Sequence, residues 1–323
     1  MKAAVRSRYG PPDVVRIVET DKPAVGDGDV LVRVHATTVN RTDCAYRAAR
    51  PFFMRALTGL TRPRLTVLGT EYAGVVEAVG SGVASFAVGD RVFGYNEGPF
   101  GTHAEYVSVP HDGAVATMPD GMTFEEAAPG TEGAHYALAF VRKSGVGAGH
   151  DVLVYGATGG IGSAAVQLLK QRGATVTAVC DTAHLELVKG LGADRVVDRT
   201  AQDFTRDEQR YDAVLDAVGK STFGRCRRLL KPGGVYSSSE LGPGGQNILL
   251  PLVTPLFRGR KVVFPFPVEG QEMVRFLRGL METGEFRPVI DRRYPLERIA
   301  DAYRYVETGQ KIGNVVVTVV PSD

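Results

Sequence analysis

Val152-Leu-Val-Tyr-Gly156-Ala-Thr158-Gly159-Gly160-Ile161-Gly162 runs an apolar stretch into a glycine-rich turn and then into a helical pattern. A pyrophosphate needs that order. A turn without side chains lets it approach the backbone, and a helix N-terminus offers unpaired N–H groups and partial positive charge. The spacing is G-x-x-G-x-x-G, so Thr158 stands where the common dinucleotide fingerprint has its second glycine. The other reading is a glycine turn with no ligand. Asp181 ends the next apolar run. An acid about 20 residues past the last glycine accepts hydrogen bonds from the adenosine ribose, and its charge repels a 2′-phosphate. Asp181 can also cap the helix expected over Leu185–Leu191, and the two roles are compatible.

These residues need a frame. From Asp151 onward the pattern alternates. Strands are expected over 152–155, 175–180, 195–197, 213–216 and 234–237. Helices are expected over 161–171 and 185–191, with a third ending near Leu230. Such alternation predicts a doubly wound parallel sheet. The first third reads differently. Val30–His35, Leu68–Val79, Phe86–Phe93 and Gly101–Val109 are short β-patterned runs broken by glycine turns, which suits a small barrel or sandwich. Thr123 and Glu126 have capping-box spacing. Near the end, an amphipathic helix is expected over Met273–Glu282 and a buried strand over Asn314–Val320.

The 323 residues suggest two domains. With 38 basic and 36 acidic side chains the formal net charge is +2, so no field favours nucleic acid or an anionic membrane. Cys44, Cys180 and Cys226 include no C-x-x-C pair, which argues against a zinc ribbon or a disulfide framework and fits a reducing compartment. The apolar stretch Asn247–Phe257 is interrupted by Pro251 and Pro255, far short of the ~20 residues of a membrane helix. A soluble, cytoplasmic protein is expected.

Taken in order, Met1–Val5, Gly69–Val76, Val88–Phe93, the glycine loop, Leu191–Asp194, Tyr211–Gly219 and Gly313–Val317 resemble the medium-chain dehydrogenase/reductase superfamily. The likeness is to its zinc-independent quinone oxidoreductase (zeta-crystallin-like) branch. It implies an α/β chain with a GroES-like β-barrel domain over 1–122 and 266–323 and an inserted Rossmann domain over 123–265. It also implies an NAD(P)H-dependent oxidoreductase that reduces quinones or the activated C=C bonds of α,β-unsaturated carbonyls. Two alternatives stay open: an enoyl reductase of a biosynthetic pathway, and a nicotinamide-binding protein without turnover. A small apolar carbonyl or quinone substrate and a possible homodimer are the expected partners.

The resemblance also bears on residues. Zinc-dependent relatives carry Gly-His-Glu where this chain has Gly69-Thr70-Glu71, and their first cysteine ligand falls at Asn40, so no zinc is expected. Asn40, Asp43 and Tyr46 match a family segment lining the substrate and nicotinamide cleft. Asn40 would bind the carboxamide or substrate carbonyl, and Tyr46 would donate a proton; Asp43 reads equally as a structural partner and Tyr46 as a rim aromatic. His135 replaces a small residue and is either a proton donor or a buried helix-start histidine. Gly156, Thr158, Gly159, Gly160, Ile161, Gly162, Asp181, Arg199, Val218, Gly219, Ser238 and Asn314 are the expected cofactor contacts. The cofactor is NAD(P)H, with NADH favoured by Asp181 and NADPH the family-level alternative. Arg199 pulls towards NADPH, since a guanidinium binds phosphate. Phe52, Phe53, Met54 and Leu57 are expected to cap the substrate pocket or to pack on the barrel. Phe264–Val268 reads as a pocket wall or a linker.

Overall fold

The computed structural model describes residues 1–257, 259–266 and 270–320, without the side chains of Leu57 and Phe257. Its strands are β1 (Lys2–Arg6), β2 (Val15–Glu19), β3 (Asp29–Val39), β4 (Glu71–Val79), β5 (Arg91–Tyr95), β6 (Tyr106–Pro110), β7 (Val115–Thr117), β8 (Asp151–Tyr155), β9 (Thr175–Cys180), β10 (Arg195–Asp198), β11 (Tyr211–Asp216), β12 (Leu230–Ser238), β13 (Lys261–Val263), β14 (Ile290–Pro295) and β15 (Asn314–Thr318). The chain divides into two compact units. One comprises Met1–Glu132 with Glu269–Asp323, and the other Gly133–Val268.

The first unit is the GroES-like one. Its main sheet runs β14-β15-β3-β4-β5-β7, with β6 also on β3 and β1-β2 as a separate hairpin. Alternation builds it. Val30, Val32 and Val34 of β3 are fully buried and share one cluster with Tyr72, Val76, Val92, Val107 and Val115. Two expected strands are shorter than the apolar runs suggest. Gly69 (φ 97°) and Gly101 (φ 103°) stand in left-handed conformations that interrupt extended chain, so β4 begins at Glu71 and β6 at Tyr106, with an isolated bridge from Ala104 to Ala3 before β6. Only Arg91–Phe93 of the third run lies in a strand, β5, which continues to Tyr95.

The second unit is a six-stranded sheet, β10-β9-β8-β11-β12-β13, parallel throughout. This is the doubly wound order, and its direction reverses between β8 and β11. Residues 152–155 are buried, as a strand covered on both faces must be. The helix Gly160–Gln171 crosses over from β8 to β9.

The boundary falls later than position 123. Thr123 and Glu126 do form a reciprocal capping box, but that turn packs on β3 and β4 of the first unit. The second unit starts at Gly133, inside the helix Glu132–Ser144. The stretch Asn247–Phe257 forms a helix over Gln246–Val253 that continues through Pro251. Its apolar side chains lie on the surface, with Leu252 72% exposed.

Candidate active site

The glycine loop leaves β8 at the point of sheet reversal. Two of its glycines are required by the chain's own packing. A Cβ on Gly156 (φ 83°) would stand 2.4 Å from Val218 Cγ1, and one on Gly162 would stand 2.1 Å from the Gly156 carbonyl oxygen. Gly159 differs. Its φ of −74° suits any residue, and a Cβ there would meet nothing nearer than the Gly156 oxygen at 3.7 Å. The helix that follows has no side-chain cap. A bare backbone surface therefore fronts unpaired N–H groups, which is what a pyrophosphate requires. Gly160 is packed against Gly133, where a Cβ would come within 2.7 Å of the Gly160 carbonyl carbon. Thr158 and Ile161 are half-buried.

The loop after β11 is tied down by Asp216, which is fully buried and accepts from the Val218 and Ser221 amides at 3.2 and 2.7 Å. Gly219 (φ 65°) makes room for the Glu240 side chain. Ser238 ends β12, and its Oγ accepts from the Glu240 amide at 3.2 Å. A cavity of about 170 Å³ is lined by Tyr136, Ile161, Ser238, Phe264 and Phe266, among others. Phe264 and Phe266 meet edge to face; Pro267 and Val268 lie outside the described residues. His135 is buried, its ring 4.3 Å from that of Tyr136.

Asp181 does not cap the following helix, since its side chain makes no cap bond. It is held instead by Arg199, whose Nε pairs with Oδ1 and whose Nη2 donates to Oδ2 at 2.8 Å. The sequence sets these two residues in opposition; the structure joins them.

In the first unit, Asn40 and Asp43 cap each other across the start of the helix Arg41–Ala48. Asn40 Oδ1 accepts from the Asp43 amide at 2.9 Å, and Asp43 Oδ2 accepts from the Asn40 amide at 3.1 Å. The other Asp43 oxygen accepts from the Gly69 amide at 3.1 Å. Full burial pushes the Asp43 carboxyl up to about 8. These contacts give Asp43 a structural duty. Asn40 Nδ2 donates to Thr70 Oγ1 at 2.7 Å, so the threonine in the histidine position is an internal hydrogen-bond partner. Tyr46 is half-buried and packs on Phe100 with ring centroids 4.5 Å apart. Phe52 and Phe53 are exposed, and Met54 is half-buried. Asn314 lies in this unit, and its Nδ2 donates to the Val289 carbonyl at 3.1 Å. Cys44 is buried, which pushes its thiol up to about 12. Among the described residues no group of three or more His, Cys, Asp or Glu stands where it could hold a metal ion.

Sequence reasoning missed a cluster of carboxyls in this unit. Glu71 takes four hydrogen bonds, from Thr38 Oγ1, the Thr131 amide and hydroxyl, and the Glu132 amide, at 2.6 to 3.0 Å. Glu132 accepts from Thr42 Oγ1 at 3.0 Å. Burial, then the neighbouring Glu71, push its carboxyl up to about 8, while Lys311 opposes the shift. No short-range spacing links positions 42, 71, 132 and 311. The one available signal was an acidic residue inside an otherwise small, apolar stretch.

Residues 26–120 match the family described as "Alcohol dehydrogenase GroES-like domain", and residues 191–317 match "Zinc-binding dehydrogenase". The 2-methylene-furan-3-one reductase of Solanum lycopersicum is 32% identical over 99% of this chain and 80% of its own length. The chloroplastic NADPH-dependent alkenal/one oxidoreductase of Arabidopsis thaliana shows the same identity and coverage. The solved quinone oxidoreductase of Coxiella burnetii superposes with a TM-score of 0.88 at 28% identity, over 99% of both chains. With the Rossmann and GroES-like units, these likenesses define an oxidoreductase of the medium-chain dehydrogenase/reductase superfamily. Within that superfamily the chain belongs with the quinone and alkenal oxidoreductases.

Proposed function

We propose that this chain is a zinc-independent NAD(P)H-dependent reductase of quinones or of the activated C=C bonds of α,β-unsaturated carbonyls. The observation that carries the reading is the open backbone surface at Gly159 in front of an uncapped helix. A bound dihydronicotinamide supplies the hydride. Gly159, Gly160 and the first turn of the helix hold the pyrophosphate, and Ser238 with the Phe264–Phe266 pair lines the adjoining apolar cavity. Tyr46 is assigned to the substrate carbonyl, and Asn40, whose side chain is engaged by the Asp43 amide and by Thr70, to holding its helix start. His135, buried beside Tyr136, is assigned to holding that helix start rather than to proton transfer.

The zinc-free reading is supported by Thr70 and Asn40, which occupy each other at two expected ligand positions. Hydride addition to an enone needs only hydrogen bonds to the developing enolate, so no Lewis acid is required. NADH is assigned as the preferred cofactor. A ribose hydroxyl can share the Asp181 carboxylate without breaking its pair with Arg199, whereas a 2′-phosphate must compete for Arg199 beside that carboxylate.

A cytoplasmic setting is supported by three free, buried cysteines. A homodimer is supported by the edge strand β13, next in sequence to the exposed side chains of Leu249, Leu252 and Leu256. Turnover of NADH or NADPH against a small panel of enones and quinones tests the activity. Cofactor binding without turnover of any member would leave only a nicotinamide-binding protein.

A further inference from the structure

The net charge of +2 conceals an uneven surface. Between Asp43 and Glu71 the chain carries Arg47, Arg50, Arg55, Arg62 and Arg64 and no aspartate or glutamate. Arg47 is buried, where it donates to the Gly10 carbonyl and pairs with Glu307. The chain beyond it folds back on Tyr9, within the first unit. Tyr9 Oη donates to the Gly59 carbonyl at 2.8 Å and meets Thr58 Oγ1 at 2.7 Å. The Arg64 amide donates to the Thr58 carbonyl at 2.9 Å. The Arg55 guanidinium lies over the rings of Tyr9 and Phe52, 5.1 and 5.0 Å from their centroids.

These ties fix the base of the loop and leave its apolar side chains outside. Phe52, Phe53 and Leu60 are 75%, 58% and 73% exposed. Arg50, Arg62 and Arg64 are exposed beside them in the chain, as is Arg8 next to Tyr9, and none of the four is in an ion pair among the described residues. Two acids that the fold brings to this part of the unit are already engaged, Glu307 by Arg47 and Asp13 by Arg304. The other exposed apolar patch, around Leu252, has a different character, since residues 241–257 include no charged side chain. Interfacial binding to a bilayer takes the first combination: apolar side chains for the acyl boundary and cations for the headgroups. Guanidinium pairs with phosphate through two N–H groups. An aliphatic Leu60 beside the phenylalanines suits acyl chains better than stacked bases.

We propose that residues 50–64 dock this protein on an anionic lipid bilayer, with Phe52, Phe53 and Leu60 entering the acyl boundary and Arg8, Arg50, Arg62 and Arg64 binding lipid phosphates. The proposal stands on this loop alone and is independent of the reductase reading.

Vesicle flotation tests it. Wild type should bind vesicles of phosphatidylcholine with about one-third phosphatidylglycerol, stay off pure phosphatidylcholine, and be released by about 0.5 M salt. Each arginine should contribute roughly fivefold, so Arg50→Ala, Arg62→Ala and Arg64→Ala combined should weaken binding at least tenfold. Lysine at the same three positions should restore most of it. Arg227→Ala with Arg228→Ala removes two exposed arginines of the other unit and should change nothing. The chain has no tryptophan, so Phe53→Trp reports on the loop directly. Its emission should shift to the blue with the anionic vesicles and be quenched by brominated acyl chains, whereas Leu252→Trp should do neither. Wild type left in solution by both kinds of vesicle overturns the proposal, and that arm needs no variant. Equal weakening by the Arg227 and Arg228 changes would mean diffuse charge, and a Phe53→Trp shift that needs no vesicles would mean that protein covers the loop; either result overturns it.

Discussion

Arg199 grips Asp181 with two nitrogens, one on each carboxylate oxygen. Both side chains are about two-fifths exposed, so water screens the pair and limits how strongly it discriminates between cofactors. NADH is therefore expected to bind only about three- to tenfold more tightly than NADPH. Asp181→Ser frees Arg199 for a 2′-phosphate and should reverse the order. Fluorescence titration of both cofactors checks this; tenfold tighter NADPH binding by the wild type would show that Arg199 dominates.

Gly159 and Gly162 should respond differently to added side chains. Gly159→Val has room within the protein, so thermal stability should hold while cofactor affinity falls well over tenfold. Gly162→Val drives a Cβ into the Gly156 carbonyl and should destabilise the unit itself. Calorimetry beside cofactor titration separates the two, and unchanged affinity in folded Gly159→Val would mean that the loop binds no pyrophosphate.

Metal content tests the zinc-free chemistry. Purified protein should carry well under one zinc per chain and keep its activity in chelator, because Thr70 and Asn40 satisfy each other. Stoichiometric zinc with chelator-sensitive turnover would refute it.

His103 should shape acid stability. It is buried, its Nε2 donates to the Thr38 carbonyl at 2.7 Å, and burial lowers its pKa to about 4. The unfolded chain binds that proton near 6.5, so stability should fall as pH drops from about 6.5 towards 4, by on the order of 1–3 kcal/mol. His103→Gln keeps a donor for Thr38 and should flatten this part of the melting-temperature profile relative to wild type. Parallel profiles would show that His103 contributes nothing there.

Leu252 provides a test of self-association. Leu252→Glu, at a site 72% exposed, should leave melting temperature nearly unchanged yet shift any dimer towards monomer in sedimentation. Identical sedimentation of wild type and variant would exclude that face.

What the sequence displays and what it hides follow from the range of the interactions. The run from Val152 through Gly162 is readable because strand, turn and helix there are local, although the demand for glycine at position 156 comes from distant Val218. Strand β9 is likewise marked by its own β-branched residues. Asp43 reads as a structural partner in the sequence, but which group it holds does not, because the Gly69 amide comes from another part of the chain. Arg199 looked opposed to Asp181 because charge alone does not show that β9 and β10 end side by side, with the Arg199 amide on the Cys180 carbonyl. Glu132 was hidden in a helix whose start carries no cap signal of its own; Glu71 receives its first amides.

The insertion of one unit within the other has a consequence for how the chain is made. Val39 of β3 pairs with Val315 of β15, so the first sheet has no complete set of neighbours until β15 has been translated. At roughly 5–20 residues per second, β3 leaves the ribosome about fifteen seconds to a minute before β15 exists. The six parallel strands of the other unit are all translated within that interval. The nascent chain thus carries a sheet edge in need of protection, and nucleotide arriving early could stabilise the inserted unit while the barrel is still open.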